Sequence, residues 1–312
     1  MIDIVFLGTP DFAVPSLKAL VENGYNVKAV FTQPDRPKGR GNKVQFSPVK
    51  EYALSQNIPV YQPDKIRREE NAKILKDLKP DLMITAAFGQ ILSKENLESA
   101  PLGCINVHGS LLPKYRGSSP IQWAVINGEK TTGITTMYTD IGVDCGDVIL
   151  KKEISIGENE TAGELFDRLA ILGAETLLET LKLVEAGKVQ RTPQNESEAT
   201  HYPMLDKAMG LIDFNKDAED IKNLVRGLNP WPVAWTKCAD EIIKIYSVSV
   251  VDEKSDLNPG QIICADSKNG LKVKCGNGVI SIDVLQLSGK KAMESKTFFV
   301  GNKLKADKFT NE

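Results

Sequence analysis

Apolar runs alternate with amphipathic stretches over the first part of the chain. The runs at residues 2–7 and 27–32 are rich in Val, Ile and Phe, which is typical of buried β-strands. Apolar residues recur at helical spacing over residues 160–186, and Ser47 stands before Pro48 as a capping residue stands before a first-turn proline. Alternation of this kind predicts a mostly parallel sheet with helices on both faces.

The pattern changes near residue 190. Residues 190–206 are polar and lack periodicity, which predicts a linker. Beyond it, a helical stretch at residues 218–228 precedes short apolar strands separated by Gly-rich turns, which predicts a small antiparallel β domain. The sequence therefore predicts an α/β fold in which a Rossmann-like domain spans residues 1–189 and a smaller β-rich domain spans residues 207–312.

Composition narrows the class of protein. Hydrophobic residues at 41% and charged residues at 26% are ordinary for a soluble globular protein. No apolar run approaches the ~20 residues of a membrane-spanning helix, and the first residues form a strand pattern rather than a signal peptide. The five cysteines lack the spacing of a metal site, and Cys104 with His108 would supply only half of one. We expect a cytoplasmic protein with reduced thiols and no metal.

The basic residues are unevenly distributed. The net charge of −2 does not by itself indicate a nucleic-acid binder. However, residues 33–50 carry five basic residues against one acidic residue, and residues 288–312 carry six against three. Each patch alone is typical of a solvated surface. Two such patches on an otherwise acidic chain favour a polyanionic partner that is bound in one position.

One stretch concentrates reactive side chains. Asn106 and His108 are two residues apart on a predicted strand, so they project from the same face. The only other histidine, His201, lies in the predicted linker. Asp144 belongs to a turn rich in Asp and Gly. An amide donor, an imidazole and a carboxylate are the groups that acyl transfer to an amine requires.

The same stretch resembles the active site of the folate-dependent formyltransferases. It contains the Asn-x-His-x-Ser-Leu-Leu-Pro motif, an Arg-Gly loop and an Asp-x-Gly-x-Asp-x-Gly-Asp turn in the family's order. The matching residues are Asn106, His108, Ser110, Leu111, Leu112, Pro113, Arg116, Gly117, Asp140, Gly142, Asp144, Gly146 and Asp147. Further matches to family members that act on tRNA are FLGTPDFAVPSL at 6–17, TQPDRPKGRG at 32–41, SPVK at 47–50, NPWPVAWT at 229–236 and GKKAM at 289–293.

The resemblance implies a separate role for each residue of the site. Asn106 and His108 are expected to stabilise the oxyanion of the tetrahedral intermediate, and Asp144 is expected to orient His108. The formyl donor implied by the family is 10-formyltetrahydrofolate, and the family uses no metal. The residues expected to contact the folate are Ser110, Leu111, Leu112, Pro113, Phe88, Gln90, Leu92 and Asp140.

The resemblance also implies a partner. The amine acceptor is expected to be methionyl initiator tRNA, contacted by the basic loop through Arg36, Lys38, Arg40 and Lys43. An OB-like barrel in residues 207–312 is expected to bind the same tRNA. No feature of the sequence calls for oligomerisation, so a monomer is the expected state.

Several alternatives remain open at this point. A nicotinamide or flavin enzyme is disfavoured, because Gly8 is not followed by the second and third glycines of a dinucleotide motif. A sugar-amine formyltransferase would share the catalytic motif but is expected to lack the basic loop. A formyltetrahydrofolate hydrolase or a phosphoribosyl-glycinamide formyltransferase would not need the second domain. A non-catalytic tRNA-binding module would not need Asn106, His108 and Asp144 together.

Overall fold

A computed structural model of the chain describes residues 2–38 and 43–310, and these form two compact units. The first unit comprises Met1–Pro120, Thr131–Ile154 and Phe166–Tyr202, and the second comprises Ile121–Lys130, Ser155–Leu165 and Pro203–Glu312. The chain therefore enters the second unit twice before residue 203. Within the predicted linker, residues 190–202 belong to the first unit and residues 203–206 to the second.

The first unit is built on a seven-stranded sheet with the order β10-β9-β7-β6-β1-β2-β5. Its strands and those of two short ribbons are β1 (Asp3–Gly8), β2 (Asn26–Phe31), β3 (Arg36–Lys38), β4 (Lys43–Gln45), β5 (Val60–Tyr61), β6 (Leu82–Ala86), β7 (Cys104–His108), β8 (Arg116–Gly117), β9 (Thr131–Tyr138), β10 (Val148–Ser155) and β11 (His201–Tyr202). The run from β7 to β5 is parallel, and β9 pairs with β7 in the antiparallel sense. The mostly parallel sheet that the sequence predicts is confirmed.

Helices connect these strands and continue into the second unit. They are α1 (Val14–Glu22), α2 (Pro48–Ser55), α3 (Glu69–Leu78), α4 (Lys94–Leu97), α5 (Pro120–Ile126), α6 (Ala162–Glu185), α7 (Ala218–Gly227) and α8 (Ser295–Gly301). The predicted start of α2 is confirmed, because the Ser47 hydroxyl accepts a hydrogen bond from the Lys50 amide at 3.1 Å and Pro48 opens the helix.

The carboxyl ends of the parallel strands meet at one edge of the sheet, where ligands bind in folds of this kind. The central strands are buried on both faces, and Val5, Leu7 and Phe31 are fully buried in one core cluster. The turn that follows β1 is tightly packed. A Cβ atom at Gly8 would lie only 2.8 Å from the Ala13 Cβ, so only glycine fits this turn.

The second unit contains an antiparallel sheet with the order β14-β15-β16-β13-β12-β18. Its strands are β12 (Ala234–Cys238), β13 (Glu241–Val251), β14 (Ile262–Asp266), β15 (Gly270–Lys274), β16 (Val279–Leu287), β17 (Met293–Glu294) and β18 (Phe309–Thr310). The sheet curls around an apolar core that includes Phe214, Ile245 and Phe309, each almost fully buried. The predicted fold class, a Rossmann-like domain with a small OB-like β domain, is confirmed.

Helix α7 connects the second unit to the two earlier pieces of chain that belong to it. Arg226 is buried, and its Nη1 donates to the carbonyl oxygens of Gly157 and Glu160 at 3.2 and 3.1 Å. Burial lowers the pKa of this guanidinium from its ordinary value. A Cβ atom at Gly227 would lie 2.5 Å from Ile126 Cγ1. Residues 121–130 and 155–165 are therefore integral to the packing of this unit.

Candidate functional site

Strand β7 presents Asn106 at the carboxyl edge of the sheet. The Asn106 Oδ1 accepts a hydrogen bond from the Thr85 hydroxyl of β6 at 2.9 Å. Because the carbonyl end of the amide is occupied in this way, the orientation of the amide is fixed and its Nδ2 presents two N–H donors to the other side. An amide held in this orientation is suited to stabilising a developing negative charge on oxygen.

The imidazole of His108 is buried at the end of the same strand. Its Nε2 lies 2.9 Å from the Tyr115 carbonyl oxygen, and its Nδ1 lies 3.7 Å from Asp144 Oδ1. A carbonyl can only accept a hydrogen bond, so the proton of this contact belongs to Nε2. When Nδ1 is also protonated, the ring and the Asp144 carboxylate form an ion pair that is shielded from solvent.

The carboxylate of Asp144 is held from a second direction. Its Oδ2 accepts a hydrogen bond from the Gly117 amide at 2.8 Å, and only 17% of its side chain is exposed. The backbone of Asp144 is in the left-handed region, with φ of 51°. Such a conformation is unfavourable for a residue other than glycine and persists only where the surroundings hold it. The structure thus brings His108 and Asp144 together, and Asn106 lies on the same face of β7, two residues before His108.

The loop after β7 is internally bonded. The Ser110 hydroxyl donates to the Lys114 carbonyl oxygen at 2.7 Å, and its own carbonyl oxygen accepts from the Thr135 hydroxyl at 2.7 Å. The Leu112 amide donates to the same Thr135 oxygen at 3.1 Å. Ser110 and Leu112 are fully buried, whereas Leu111 and Pro113 are half-buried. Of this predicted folate segment, Leu111 and Pro113 are the more accessible members.

The predicted folate residues after β6 are largely engaged by the protein. Phe88 and Leu92 pack in the core of the first unit. The Gln90 side chain accepts from the Ile66 amide at 2.6 Å and donates to the Pro63 carbonyl oxygen at 2.8 Å. These contacts give all three side chains a structural role, and their contact with folate stays a prediction.

Exposed apolar side chains stand beside these predicted positions. Asp140 is exposed, and its carboxylate accepts from the next amide in the chain at 2.7 Å. In the same turn Ile141 and Val143 are 63% and 51% exposed, and Ile91, after β6, is 61% exposed. Apolar side chains exposed next to reactive groups are typical of a surface that a ligand covers.

The predicted tRNA-binding loop contains a short hairpin of β3 and β4 in which Lys38 pairs with Lys43. Arg36 is exposed at the start of this hairpin. Arg40 lies outside the described residues, as do the side chains of Lys38 and Lys43. Where the structure describes the loop, it therefore shows a paired stem rather than an irregular segment.

A polar cluster anchors the base of this hairpin. The Lys50 ammonium donates to the Asp35 carboxylate and to Gln62 Oε1, the latter at 2.7 Å. The Gln62 Nε2 donates to the other Asp35 oxygen at 2.8 Å and to the Gln33 carbonyl oxygen at 2.9 Å. The hydrogen bond from Lys50 is the main cause that lowers the pKa of Asp35 below its ordinary value.

Sequence reasoning missed a group of residues in the segment 194–202. Thr200 accepts from the Tyr115 amide through its hydroxyl at 2.8 Å and from the Arg116 amide through its carbonyl at 2.8 Å. Arg116 is buried and donates to both oxygens of Glu196 at 2.9 and 2.7 Å. Their contact raises the pKa of Arg116 and lowers that of Glu196. Arg116 was a motif residue without an assigned role, and the polar composition of the segment gave no signal.

Burial removes Cys104 from any chemistry at the site, because it raises the pKa of this thiol to about 12. Among the described residues, all five cysteines are free, and no three His, Cys, Asp or Glu side chains are grouped as a metal ion would require. No helix within the described ranges is both long enough and apolar enough to cross a membrane.

Comparison with known families and proteins gives consistent results. A family model described as formyl transferase matches residues 2–181, and one described as formyl transferase, C-terminal domain, matches residues 204–303. The methionyl-tRNA formyltransferase of Acetivibrio thermocellus is 53% identical over 302 residues, which cover 96% of this chain and 97% of that protein. The protein of the same name from Clostridioides difficile is 52% identical over 299 residues, which cover 96% of each chain.

A solved structure shares the fold at low sequence identity. It is the N-formyltransferase from Helicobacter canadensis in complex with folinic acid and dTDP-3-aminofucose, with a TM-score of 0.68 and 20% identity. The match covers 93% of this chain and all of that chain. At this identity the likeness shows the fold alone.

Proposed function

The chain belongs to the formyltransferase family, and on that premise we propose that it transfers the formyl group of 10-formyltetrahydrofolate to the α-amine of methionyl initiator tRNA. The observation that carries the proposal is the meeting of Asn106, His108 and Asp144 at the carboxyl edge of the sheet. The names of relatives that match along nearly the whole chain support the choice of acceptor.

The residues of the site fit a formyl donor of the folate type. The Asn106 amide, oriented by Thr85, presents N–H donors to a formyl oxygen. The exposed apolar side chains of Ile91, Ile141 and Val143 are suited to cover an aromatic pterin. The donor supplies an activated formyl group. Side chains of this protein supply the stabilisation of the oxyanion and the proton transfers.

In the proposed mechanism, the amine attacks the formyl carbon and a tetrahedral intermediate forms. The Asn106 Nδ2 stabilises its oxyanion, and protonated His108 does so through its charge and its Nδ1–H, since its Nε2–H is bound to the Tyr115 carbonyl oxygen. Asp144 orients His108 and, directly or through a water molecule, accepts the amine proton for transfer to the leaving nitrogen. Loss of one oxyanion donor in such a site reduces turnover by about 10²–10³-fold, and general acid–base help contributes about 10²–10⁴-fold.

The acceptor is proposed to be held by basic residues outside this centre. Arg36, Lys38, Arg40 and Lys43 are proposed to contact the tRNA, and residues 207–312 are proposed to form a tRNA-binding domain. We further propose that the enzyme acts as a cytoplasmic monomer, which size-exclusion chromatography with light scattering would test. The free state of the five cysteines fits a reducing compartment.

The decisive experiment measures formyl transfer from 10-formyltetrahydrofolate to two acceptors, methionyl initiator tRNA and an amino sugar nucleotide. Transfer to the tRNA alone is the expected result. Transfer to the sugar alone would keep the catalytic assignment and contradict the tRNA assignment. Hydrolysis of the donor without transfer to either acceptor would identify a hydrolase.

A further inference from the structure

We infer that Gln194, a residue of the predicted linker, is a positioning residue for Asp144. The inference rests on the proposed function in that it gives Asp144 its catalytic role. It is carried by hydrogen bonds within the first unit. The side chain of Gln194 donates hydrogen bonds to backbone carbonyl groups in the turn that contains Asp144. The Gly117 amide donates to the Asp144 carboxylate itself.

The amide of Gln194 is bonded at both ends. Its Nε2 donates to the carbonyl oxygens of Asp144 and Gly146 at 2.9 and 2.7 Å. Its Oε1 accepts from Nε and Nη2 of Arg116 at 3.1 and 2.9 Å. The reverse orientation would place an oxygen against two carbonyl oxygens and an amine against a guanidinium. The four contacts therefore fix one orientation of this side chain.

These bonds act on a backbone that needs support. Asp144 has φ of 51°, which lies in the left-handed region that residues with a side chain adopt only as isolated exceptions. The two carbonyl groups that Gln194 binds belong to Asp144 itself and to Gly146, so both lie directly after the left-handed rotation at Asp144. The donors of Gln194 thus offset part of the cost where the chain must bend to aim the carboxylate at His108.

Arg116 connects this support to the other side of the catalytic pair. It precedes Gly117, whose amide binds Asp144, and follows Tyr115, whose carbonyl oxygen binds His108. The guanidinium is buried, and Glu196 matches its charge through two hydrogen bonds. Strand β8 and the residue before it therefore supply the backbone groups that position both His108 and Asp144.

Two substitutions distinguish the hydrogen bonds that Gln194 donates to the turn from those that it accepts from Arg116. In Gln194→Glu, the Oε1 contact with Arg116 is retained, but the second oxygen faces two carbonyl groups instead of donating to them. In Gln194→Met, a neutral side chain of similar volume removes both contacts and serves if the first variant does not fold. Glu198→Gln is the matched control, because this residue is exposed, its Oε1 accepts a hydrogen bond from the Asn195 side chain, and glutamine keeps that acceptor.

The primary readout is steady-state formyl transfer, with kcat and KM determined for both substrates. A shift of about 1 Å in a catalytic group costs up to about 10²-fold in rate. We expect kcat to fall by about tenfold or more in Gln194→Glu and Gln194→Met, with both KM values nearly unchanged and Glu198→Gln equal to wild type. Unchanged kcat in a folded Gln194 variant would overturn the inference.

A double-variant cycle distinguishes positioning from general destabilisation. If Gln194 acts through Asp144, adding Gln194→Glu to Asp144→Asn should cause no further loss of kcat. Multiplicative losses would contradict the positioning role.

Amide hydrogen exchange provides a second readout that does not depend on the reaction. Exchange across residues 140–147 and at Gly117 should increase in both Gln194 variants and not in Glu198→Gln. An inactive wild-type enzyme with this exchange pattern would refute the proposed function and leave the positioning role intact. Unchanged exchange would refute the positioning role whatever the reaction.

Discussion

At the scale of single residues, the site depends on how polar groups are oriented. Asn106 can stabilise an oxyanion only when its N–H groups, and not its carbonyl oxygen, face the reacting atoms. The Thr85 hydroxyl selects that orientation from the neighbouring strand. His108 is fixed in the same way, because the Tyr115 carbonyl oxygen assigns the proton to Nε2.

Removal of the proposed catalytic side chains should collapse turnover. We expect Asn106→Ala and His108→Ala each to reduce kcat by about 10²–10³-fold, because each removes a group that stabilises the oxyanion. Binding of methionyl initiator tRNA, measured by filter binding, should survive in both. Turnover near wild type in either variant would contradict the assignment of that residue.

Removal of the orienting hydroxyl should have a smaller effect. Thr85→Val preserves shape and deletes the hydrogen bond to Asn106, so the amide can rotate. A net hydrogen bond of ~1 kcal/mol predicts a fall in kcat of about threefold to tenfold. Thr136→Val is the control, since that buried hydroxyl bonds with Thr180 and not with the site. Equal kcat values for the two variants would exclude the orienting role of Thr85.

The sequence predicts these residues unequally. Asn106 and His108 share a face because their spacing is two on a strand, and that inference needs only local geometry. Their approach to Asp144 depends on a turn more than thirty residues later, and only the resemblance to a family indicated it. Thr85 and Gln194 carry no motif. Their roles depend on hydrogen bonds across distant parts of the chain, which periodicity does not encode.

At the scale of elements, the stem of the basic hairpin is fixed by charge. Asp35, Lys50 and Gln62 bond with one another at its base. The sequence predicts the hairpin only as a long basic loop, because neither strand exceeds three residues and no apolar alternation marks them. The cap at Ser47 was predictable, because it depends on adjacent residues.

Substitution of Asp35 should weaken use of the tRNA without affecting the folate. Asp35→Asn removes the charge that holds Lys50, so the hairpin stem loosens, and KM for the tRNA should rise by about twofold to fivefold. Arg40→Ala should raise the same KM and also spare the folate. Steady-state kinetics with each substrate varied in turn would check both, and an unchanged tRNA KM would contradict either role.

The same anchor carries a pH dependence. The pKa of Asp35 is lowered in the folded protein, mainly by the hydrogen bond from Lys50. Its contribution to stability is therefore complete above the ordinary aspartate pKa of about 4 and is lost as the pH falls through the lowered folded value. The wild type should lose more stability than Asp35→Asn over that acid range in urea titrations. Equal losses of stability in the wild type and in Asp35→Asn would show that the ionised Asp35 carboxylate contributes nothing to stability.

At the scale of the whole molecule, sequence and structure divide the chain differently. The apolar pattern predicts a boundary near residue 190, because the periodicity ends there. In the structure, residues 121–130 and 155–165 belong with the later part of the chain. Hydrophobic periodicity identifies a buried helix face but not the surface that buries it, so this exchange of segments was not predictable.

A fragment cut at the apparent boundary should therefore be poorly folded. Residues 203–312 alone lack the Gly157 and Glu160 carbonyl groups that the buried Arg226 guanidinium needs. They also lack Ile126, which packs against Gly227. We expect the fragment to show no cooperative thermal transition by circular dichroism. A transition equal to that of the full chain would show that the early segments are dispensable.

The interleaving of the two units also determines the order in which they can form during synthesis. The chain leaves the ribosome from its N-terminus at about 5–20 residues per second. The first unit has all its segments once Tyr202 has emerged. Residues 121–130 and 155–165 are made earlier but must wait for α7, so apolar side chains such as Trp123 and Ile126 stay without their final partners for seconds. A pause in translation before Arg226 would lengthen that interval, during which this nascent chain is most exposed to aggregation and to capture by chaperones.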